Sequence, residues 1–405
     1  MFCRRLLSRL AGCLALLVAL DTPVAAGPYD AQFRAFLEAE IVPAARAAGV
    51  PQAVLTRELA GLTPDTSLPG LGRPGEDAGP PPVNYQAEFR APSRYFSDNQ
   101  FNALVAQGRR LAERHAATLR RIERETGVPG RIVLAIWARE SAYGTAAIPK
   151  DALRTLATRA FMGQRRDLFK GETVAALQIL AQGHISRSRM KSSWGGAMGQ
   201  PQFLPSSFLR HAVDFDGNGR RDIWTSVPDT LASIARYLQW HGWVRGRDWG
   251  YEAVIPPAVS CTREGPDRGR PISAWIADGV TRVRDRPFPA HEVPQPGFLV
   301  MPAGRHGPAF LATDNFYVLK SYNESDVYAL FVGHLADRYA NNRGFVQGWD
   351  AIRTRSRGAV REIQLALEAK GHDVGGADGL IGFKTRRSLG AEQEKAGRRA
   401  TCWLE

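Results

Sequence analysis

Apolar residues recur along most of this chain at three- and four-residue intervals, the period of a helix that buries one face. The spacing predicts a helix over Phe33 to Gly49 and another over Gln100 to Thr126, where Leu104, Leu111, Leu119 and Ile122 stand on a strongly charged background. Thr173 to Gly183 and Pro228 to Gly242 repeat the pattern, the second starting at a proline and ending at a glycine, as helix termini prefer. Helix is again predicted at Val327 to Tyr339 and along the face made by Val360, Ile363 and Leu367. Two stretches break the rhythm. Residues 64–82 hold ten prolines and glycines in nineteen positions and read as a loop. Residues 252–302 show short apolar runs between prolines and glycines, which predicts a small β-rich insertion. VQGWDAIRTRSR, 346–357, reads as a linker to a compact tail, and no internal repeat is present.

One apolar run has a charge at its end. Ile132 to Trp137 are six apolar residues in succession, and Val133, Trp137 and Glu140 fall at i, i+4 and i+7, on one helix face. Gly144 places Glu140 in the last turn, where desolvation and the negative end of the helix dipole both favour the protonated carboxyl. That suits a general acid. An isolated glutamate there would more often cap the helix or pair with a base such as Arg139.

A chain of 405 residues with 44% hydrophobic and 23% charged positions is long enough for two or three globular units, and its composition excludes wholesale disorder. Arg4, Arg5 and Arg9 precede an apolar stretch from Leu10 to Leu20 and small residues at Val24 and Ala26, the pattern of a signal peptide over 1–26. The expected location is periplasmic. LAGC at 10–13 also reads as a lipoprotein box at Cys13, but most of the apolar run comes after that cysteine, which weakens that reading. Losing residues 1–26 lowers the formal charge from +13 to +11, and so strong a basic balance in an exported chain favours anionic cell-wall polymer over nucleic acid. Only Cys261 and Cys402 remain beyond the signal; an oxidising compartment permits one disulfide, which nothing in the spacing demands.

SSWGGAMGQPQFLPSS, 192–207, combines glycine, small polar and aromatic residues, and suits the lining of a groove that approaches a flat sugar ring. Through ARESAYG and this stretch, the chain resembles the lytic murein transglycosylases of the B type, cell-wall enzymes of lysozyme-like fold, from about Tyr29 to Arg343. The resemblance implies that Glu140 is the single catalytic acid/base. It implies that Ser193 and Gln202 hold an N-acetyl sugar, that Tyr237 in LASIARYL lies in the active site, and that Asn323 and Tyr328 of SYNESDVYAL line the groove. The implied fold is a mainly α, α+β, lysozyme-like catalytic domain over 27–345 with a small β-rich insertion, and then a small helical C-terminal domain over 358–405. The implied reaction cleaves the β-1,4 bond between N-acetylmuramic acid and N-acetylglucosamine. Glu140 protonates the glycosidic oxygen, the substrate acetamide supports the cation, and Glu140 then deprotonates the muramic 6-hydroxyl, which closes a 1,6-anhydro ring. Ordinary glycosidases need two carboxylates; here no Asp or Glu comes after Glu140 until Asp151. A lysozyme-like hydrolase and a non-catalytic wall-binding protein are the competing readings.

DFDGNGRRDIW, 214–224, sets Asp214, Asp216 and Asn218 at positions 1, 3 and 5 of an EF-hand-like loop with Gly219 at position 6. Position 12 is Thr225, where an EF-hand has a bidentate glutamate, so a metal-free Asx-rich turn is the alternative. In the resembled family a later aspartate closes a longer loop, and Asp229 is in the matching place. The candidate ligand set is therefore Asp214, Asp216, Asn218, Arg220 and Asp229, for a structural calcium; no organic cofactor is expected. The tail is similar to a small three-helix peptidoglycan-binding domain through Gln364, Asp378-Gly379, Gly382 and Thr385, although KAGRRATCWLE cuts its last helix short after Gln393. The expected partners are peptidoglycan glycan strands and cell-wall synthesis proteins, with no nucleic acid, and a monomeric state.

Overall fold

The computed structural model describes residues 27–74, 76, 92–352 and 355–404. The predicted signal at 1–26, with Cys13, and positions 75 and 77–82 of the proline- and glycine-rich loop lie outside the described residues.

Helices dominate, in two packed bodies. In the first, Asp30–Phe36 and Val42–Ala47 are joined through a wide turn at Leu37–Ile41 and pack with Gln52–Leu59, Ala152–Met162 and Arg166–Ala181 around Phe33, Ile41, Leu55, Leu156 and Leu177. In the second, Asp98–Arg114, Ala116–Thr126, Gly130–Ser141, Val227–Trp240 and Asp326–Asn341 enclose Phe101, Ile122, Ile136, Leu231 and Phe331. The span from Gln100 to Thr126 is thus two helices, not one. A straight helix of that length would run about 40 Å; the break at His115 lets Leu119 and Ile122 pack instead against the helices Gly130–Ser141 and Val227–Trp240. Tyr237 and Tyr322 pack against both bodies, and so mark the seam between them.

The β-rich segment is an antiparallel five-stranded sheet in the order Arg270–Pro271, Pro296–Val300, Ala309–Ala312, Gly250–Val254, Thr281–Arg282. It extends ten residues beyond the expected end at Pro302, because its middle strand Ala309–Ala312 is buried along its whole length and shows no alternation to betray it. Helix Ile272–Ala277 lays fully buried Trp275 against one face, with Leu299 and Leu311.

The tail contributes two helices among the described residues, Arg357–Glu368 and Phe383–Lys395, rather than three. Beyond Lys395 the chain turns back on itself: the Gln393 side chain accepts from the backbone N–H groups of Thr401 and Cys402 at 2.9 and 3.0 Å. Cys402 then enters the sheet's core and forms a disulfide with Cys261. The stretch read as a linker is pinned too, since Val346 and Gln347 donate to Glu252 and Trp349 stacks on Phe96 at 5.4 Å.

Candidate active site

Glu140 sits in the last turn of Gly130–Ser141, a helix whose residues 132–138 are all buried. Three successive left-handed residues end it: Ala142, Tyr143 and Gly144, at φ +47°, +59° and +79°. Such a turn is unfavourable for the two non-glycines. It is held by Tyr143, whose hydroxyl donates to Leu104 O at 2.7 Å and lies 2.8 Å from the Tyr339 hydroxyl, and by the Ser141 hydroxyl, which accepts from Gly144 N. Gly144 is required for a second reason, because a Cβ there would lie 2.4 Å from Gln200 Oε1. That same oxygen accepts from buried Trp137 at 2.7 Å, tying the glutamate's helix to the 192–203 ribbon.

The Glu140 carboxyl is half-buried, and burial pushes its pKa up to about 7 against the opposing pulls of the Tyr328 hydroxyl and the Arg139 charge. Tyr328 donates to Oε1 at 2.6 Å from the first turn of the facing helix Asp326–Asn341. Arg139 does not pair with it. Its guanidinium lies over the rings of Tyr95 and Phe331. Among the described residues, no second carboxylate is among the charges that perturb Glu140.

A row of aromatic rings leads away from this carboxyl. Tyr328 stacks with Tyr322 at 6.1 Å; Tyr322 meets Tyr237 at 4.7 Å and Phe203 at 6.1 Å; Tyr237 meets His241 at 4.2 Å. Backbone carbonyls fix the row: Tyr237 donates to Ser321 O and Tyr322 to Pro201 O, both at 2.8 Å. The structure therefore brings Glu140, Tyr328 and Tyr237 together. Gln202 stands beside Pro201 at φ +55°, its amide donating to Gly199 O at 2.9 Å. Ser193 lies in the turn of the ribbon, where its N–H donates to Ala197 O. Asn323 is exposed next to Tyr322; neither Ser193 nor Asn323 bonds to Glu140.

Sequence reasoning did not single out Tyr322 or Gln200, which join the two bodies here. Both occur inside the stretches that pointed to the groove, but nothing in their spacing distinguishes them from their neighbours. Trp194, exposed on the ribbon with Arg159 over its ring at 5.1 Å, was likewise passed over.

In the aspartate loop, Asp214, Asp216 and Asp229 bring carboxylate oxygens within 4.8 Å of one another. Asp214 accepts from the N–H groups of Gly217, Asn218 and Gly219; fully buried Asp229 accepts from those of Phe215, Asp216 and Asp222. Asn218 turns its Oδ1 to Arg220 N. Burial, with Asp216 adding to it, raises the Asp229 pKa. The donors are all oxygen, which fits a hard cation such as calcium; Thr225 instead bonds to Asp222, so closure of the loop falls to Asp229 rather than to position 12.

The family described as Transglycosylase SLT domain matches residues 32–337. The membrane-bound lytic murein transglycosylase B of Escherichia coli K12 is 30% identical over 267 residues, 64% of this chain and 67% of that protein. Among solved structures, SltB3 from Pseudomonas aeruginosa in complex with NAG-NAM-pentapeptide is 35% identical with a TM-score of 0.81, covering 92% of this chain and 97% of that one. The Escherichia coli lytic transglycosylase Slt35 in complex with calcium is 25% identical with a TM-score of 0.61, over 78% of this chain and 96% of that one. Among the described residues, no helix is long and apolar enough to cross a membrane.

Proposed function

The chain belongs to the transglycosylase SLT family, and from that premise we propose that it is a lytic transglycosylase which cleaves the β-1,4 bond between N-acetylmuramic acid and N-acetylglucosamine in peptidoglycan. The observation that carries this reading is Glu140: a carboxyl at the seam of two helical bodies, bonded by one tyrosine hydroxyl, with a pKa of about 7. Near neutrality such a group is present in both protonation states, so it donates a proton in one half-reaction and accepts one in the next. Glu140 protonates the glycosidic oxygen. The substrate acetamide supports the developing cation, and Glu140 then takes the proton of the muramic 6-hydroxyl as the 1,6-anhydro ring closes. Tyr328 holds the carboxyl through Oε1, leaving its other oxygen for the sugar. Ser193, Gln202, Tyr237 and Asn323 bind the glycan along the aromatic row, with Tyr322 as a further wall. Mass spectrometry of peptidoglycan digested by the purified protein should find 1,6-anhydro ends; reducing ends in their place would make the enzyme a hydrolase.

Export through residues 1–26 would deliver the enzyme to the periplasm and to that polymer. Residues 358–405 supply a further surface for it: a cavity of about 400 Å³ between Lys320, Asn323 and Asp326 on one side and Gly375, Asp378 and Phe383 on the other makes the tail continuous with the late groove motif. Asp214, Asp216 and Asp229, with Asn218 and the Arg220 carbonyl, would hold calcium as a brace on the loop that precedes the Tyr237 helix. Calcium should then raise the melting temperature in a concentration-dependent way and Asp216→Ala should abolish the rise; an unchanged melt would leave the loop an Asx-rich turn.

A further inference from the structure

The helix that carries Glu140 at its last turn carries Arg131 at its first, about 14 Å away along the axis. Around Arg131, at the far end of both this helix and its partner Asp326–Asn341, lies a second polar concavity of about 270 Å³. Its cations outnumber its anions. Arg131 is spoken for, paired with Asp248 at 3.0 Å and Asp337 at 2.8 Å. That leaves Arg282, Arg284, Arg286 and Arg343 against Glu252 alone. Glu252 is itself engaged, accepting from the Val346 and Gln347 N–H groups.

Among the described residues, none of these four guanidinium groups forms an ion pair with a carboxylate. Arg284, Arg286 and Arg343 are exposed and, among the described residues, make no side-chain hydrogen bond or ion pair. Arg282 lies over the Tyr251 ring at 4.7 Å and donates through Nη1 to Pro287 O at 3.2 Å, while its Nε is shut off from water without a hydrogen-bond partner. A buried donor left open in this way is unfavourable unless something accepts from it. The backbone of the Arg282–Arg286 segment adds a strained turn, with Arg284 and Asp285 at φ +62° and +51°, which sets Arg284 and Arg286 on the cavity wall.

Planar guanidinium forks match carboxylates in a bidentate geometry. We propose that this cavity recognises carboxylates of the peptide stems borne by the glycan polymer, at a place remote from Glu140; the proposal rests on the reading of peptidoglycan as substrate. The shape favours a peptide over a membrane surface. A recess of this volume admits one small charged group on a flexible tether, and among the described residues Val346 is the one lining residue with an exposed large apolar side chain, too little to enter a lipid layer. Held there, a stem would add binding to the polymer without touching the chemistry, as a second point of attachment does.

Calorimetry of the full chain with a free stem-type tetrapeptide tests this without any turnover. Arg284→Gln/Arg286→Gln/Arg343→Gln should weaken binding at least about tenfold, the loss expected when several charge-assisted contacts go together, and amidating the peptide's carboxylates should weaken binding to the unaltered protein to the same degree. An unaltered melting temperature of the triple variant would show that its fold is kept. Equal peptide binding by the triple variant would overturn the proposal. So would a variant that loses only binding to phosphatidylglycerol vesicles. Because the readout is peptide binding, failure of the unaltered protein to cleave glycan would sink the proposed function while leaving this result standing.

Discussion

Glu140 and Glu264 are both carboxyls withdrawn from water, one at the seam between the helical bodies and the other at the seam between the sheet and the tail, and their surroundings treat them oppositely. Glu264 is 1% exposed and fully occupied. Arg386 from the tail reaches it through both Nη2 and Nε, at 2.7 and 2.9 Å, and Met301 N donates at 2.8 Å. Asp326 takes Arg386 from the other side at 2.9 Å and is itself met by Lys320 at 2.8 Å. Glu140 is half-buried with no cation bonded to it among the described residues. Burial raises the pKa of both glutamates, but at Glu264 Arg386 pulls back hard, whereas at Glu140 only a hydroxyl and the indirect charge of Arg139 do so. Desolvation that is offset by an arginine makes a joint. Left without that offset, it makes a proton carrier.

The sharpest way to break the comparison is Glu140→Gln. The amide keeps the shape and the Tyr328 contact but neither gives nor takes the proton, so release of soluble muropeptides should fall by about 10²–10⁴-fold or more, with the fold retained. Residual turnover near the unaltered rate would remove Glu140 from the reaction.

Second in size is Arg386→Met. It leaves Glu264 and Asp326 buried without their cation, and breaking a buried pair by removing one partner typically destabilises by about 3–5 kcal/mol. Denaturant unfolding should show that loss, and Glu264→Leu/Arg386→Met should recover part of it; a neutral single variant would mean the seam carries little of the fold. The same geometry makes a chain ended near 353 a poor probe of the tail alone. Such a cut removes Arg386 and Cys402 together, stripping the sheet of an ion pair and of its disulfide.

The two seams also differ in how far they were legible. The helices around Glu140 announce themselves by periodicity, and the placement of Glu140 beside Val133 and Trp137 on one face comes from 3.6 residues per turn. The resemblance put Tyr237 and Tyr328 in one groove; in the structure Tyr328 bonds to Glu140, and Tyr237 follows it in the ring row through Tyr322. The Glu264–Arg386 joint was invisible, because 122 residues separate the partners and neither lies in a periodic segment that points at the other. The Cys261–Cys402 bond was open for the same reason. Cys261 and Glu264 lie at a single short helical turn, where the signal is weakest, and the strand Ala309–Ala312 hid because total burial erases alternation. Long-range pairing is what local pattern does not encode.

The smallest predicted effect distinguishes the two seams by pH. In the unfolded chain Glu140 titrates near the ordinary value of 4.5; in the folded protein it does so near 7. Between those values the folded state holds the proton that the unfolded state has released, so unfolding is coupled to proton loss and stability falls as pH rises from about 4.5 to 7. Above 7 both states are ionised and the full penalty, about 3 kcal/mol from a shift of this size, persists. Glu140→Gln has no such term. Its melting temperature should therefore match that of the unaltered protein near pH 4 and exceed it by several degrees near pH 8, a stability gain that accompanies the loss of activity. Arg386→Met should show no such gain at any pH. Melts of Glu140→Gln and the unaltered protein that stay parallel from pH 4 to 8 would mean that the groove carboxyl is solvated like any surface glutamate, and the contrast with Glu264 would rest on geometry alone.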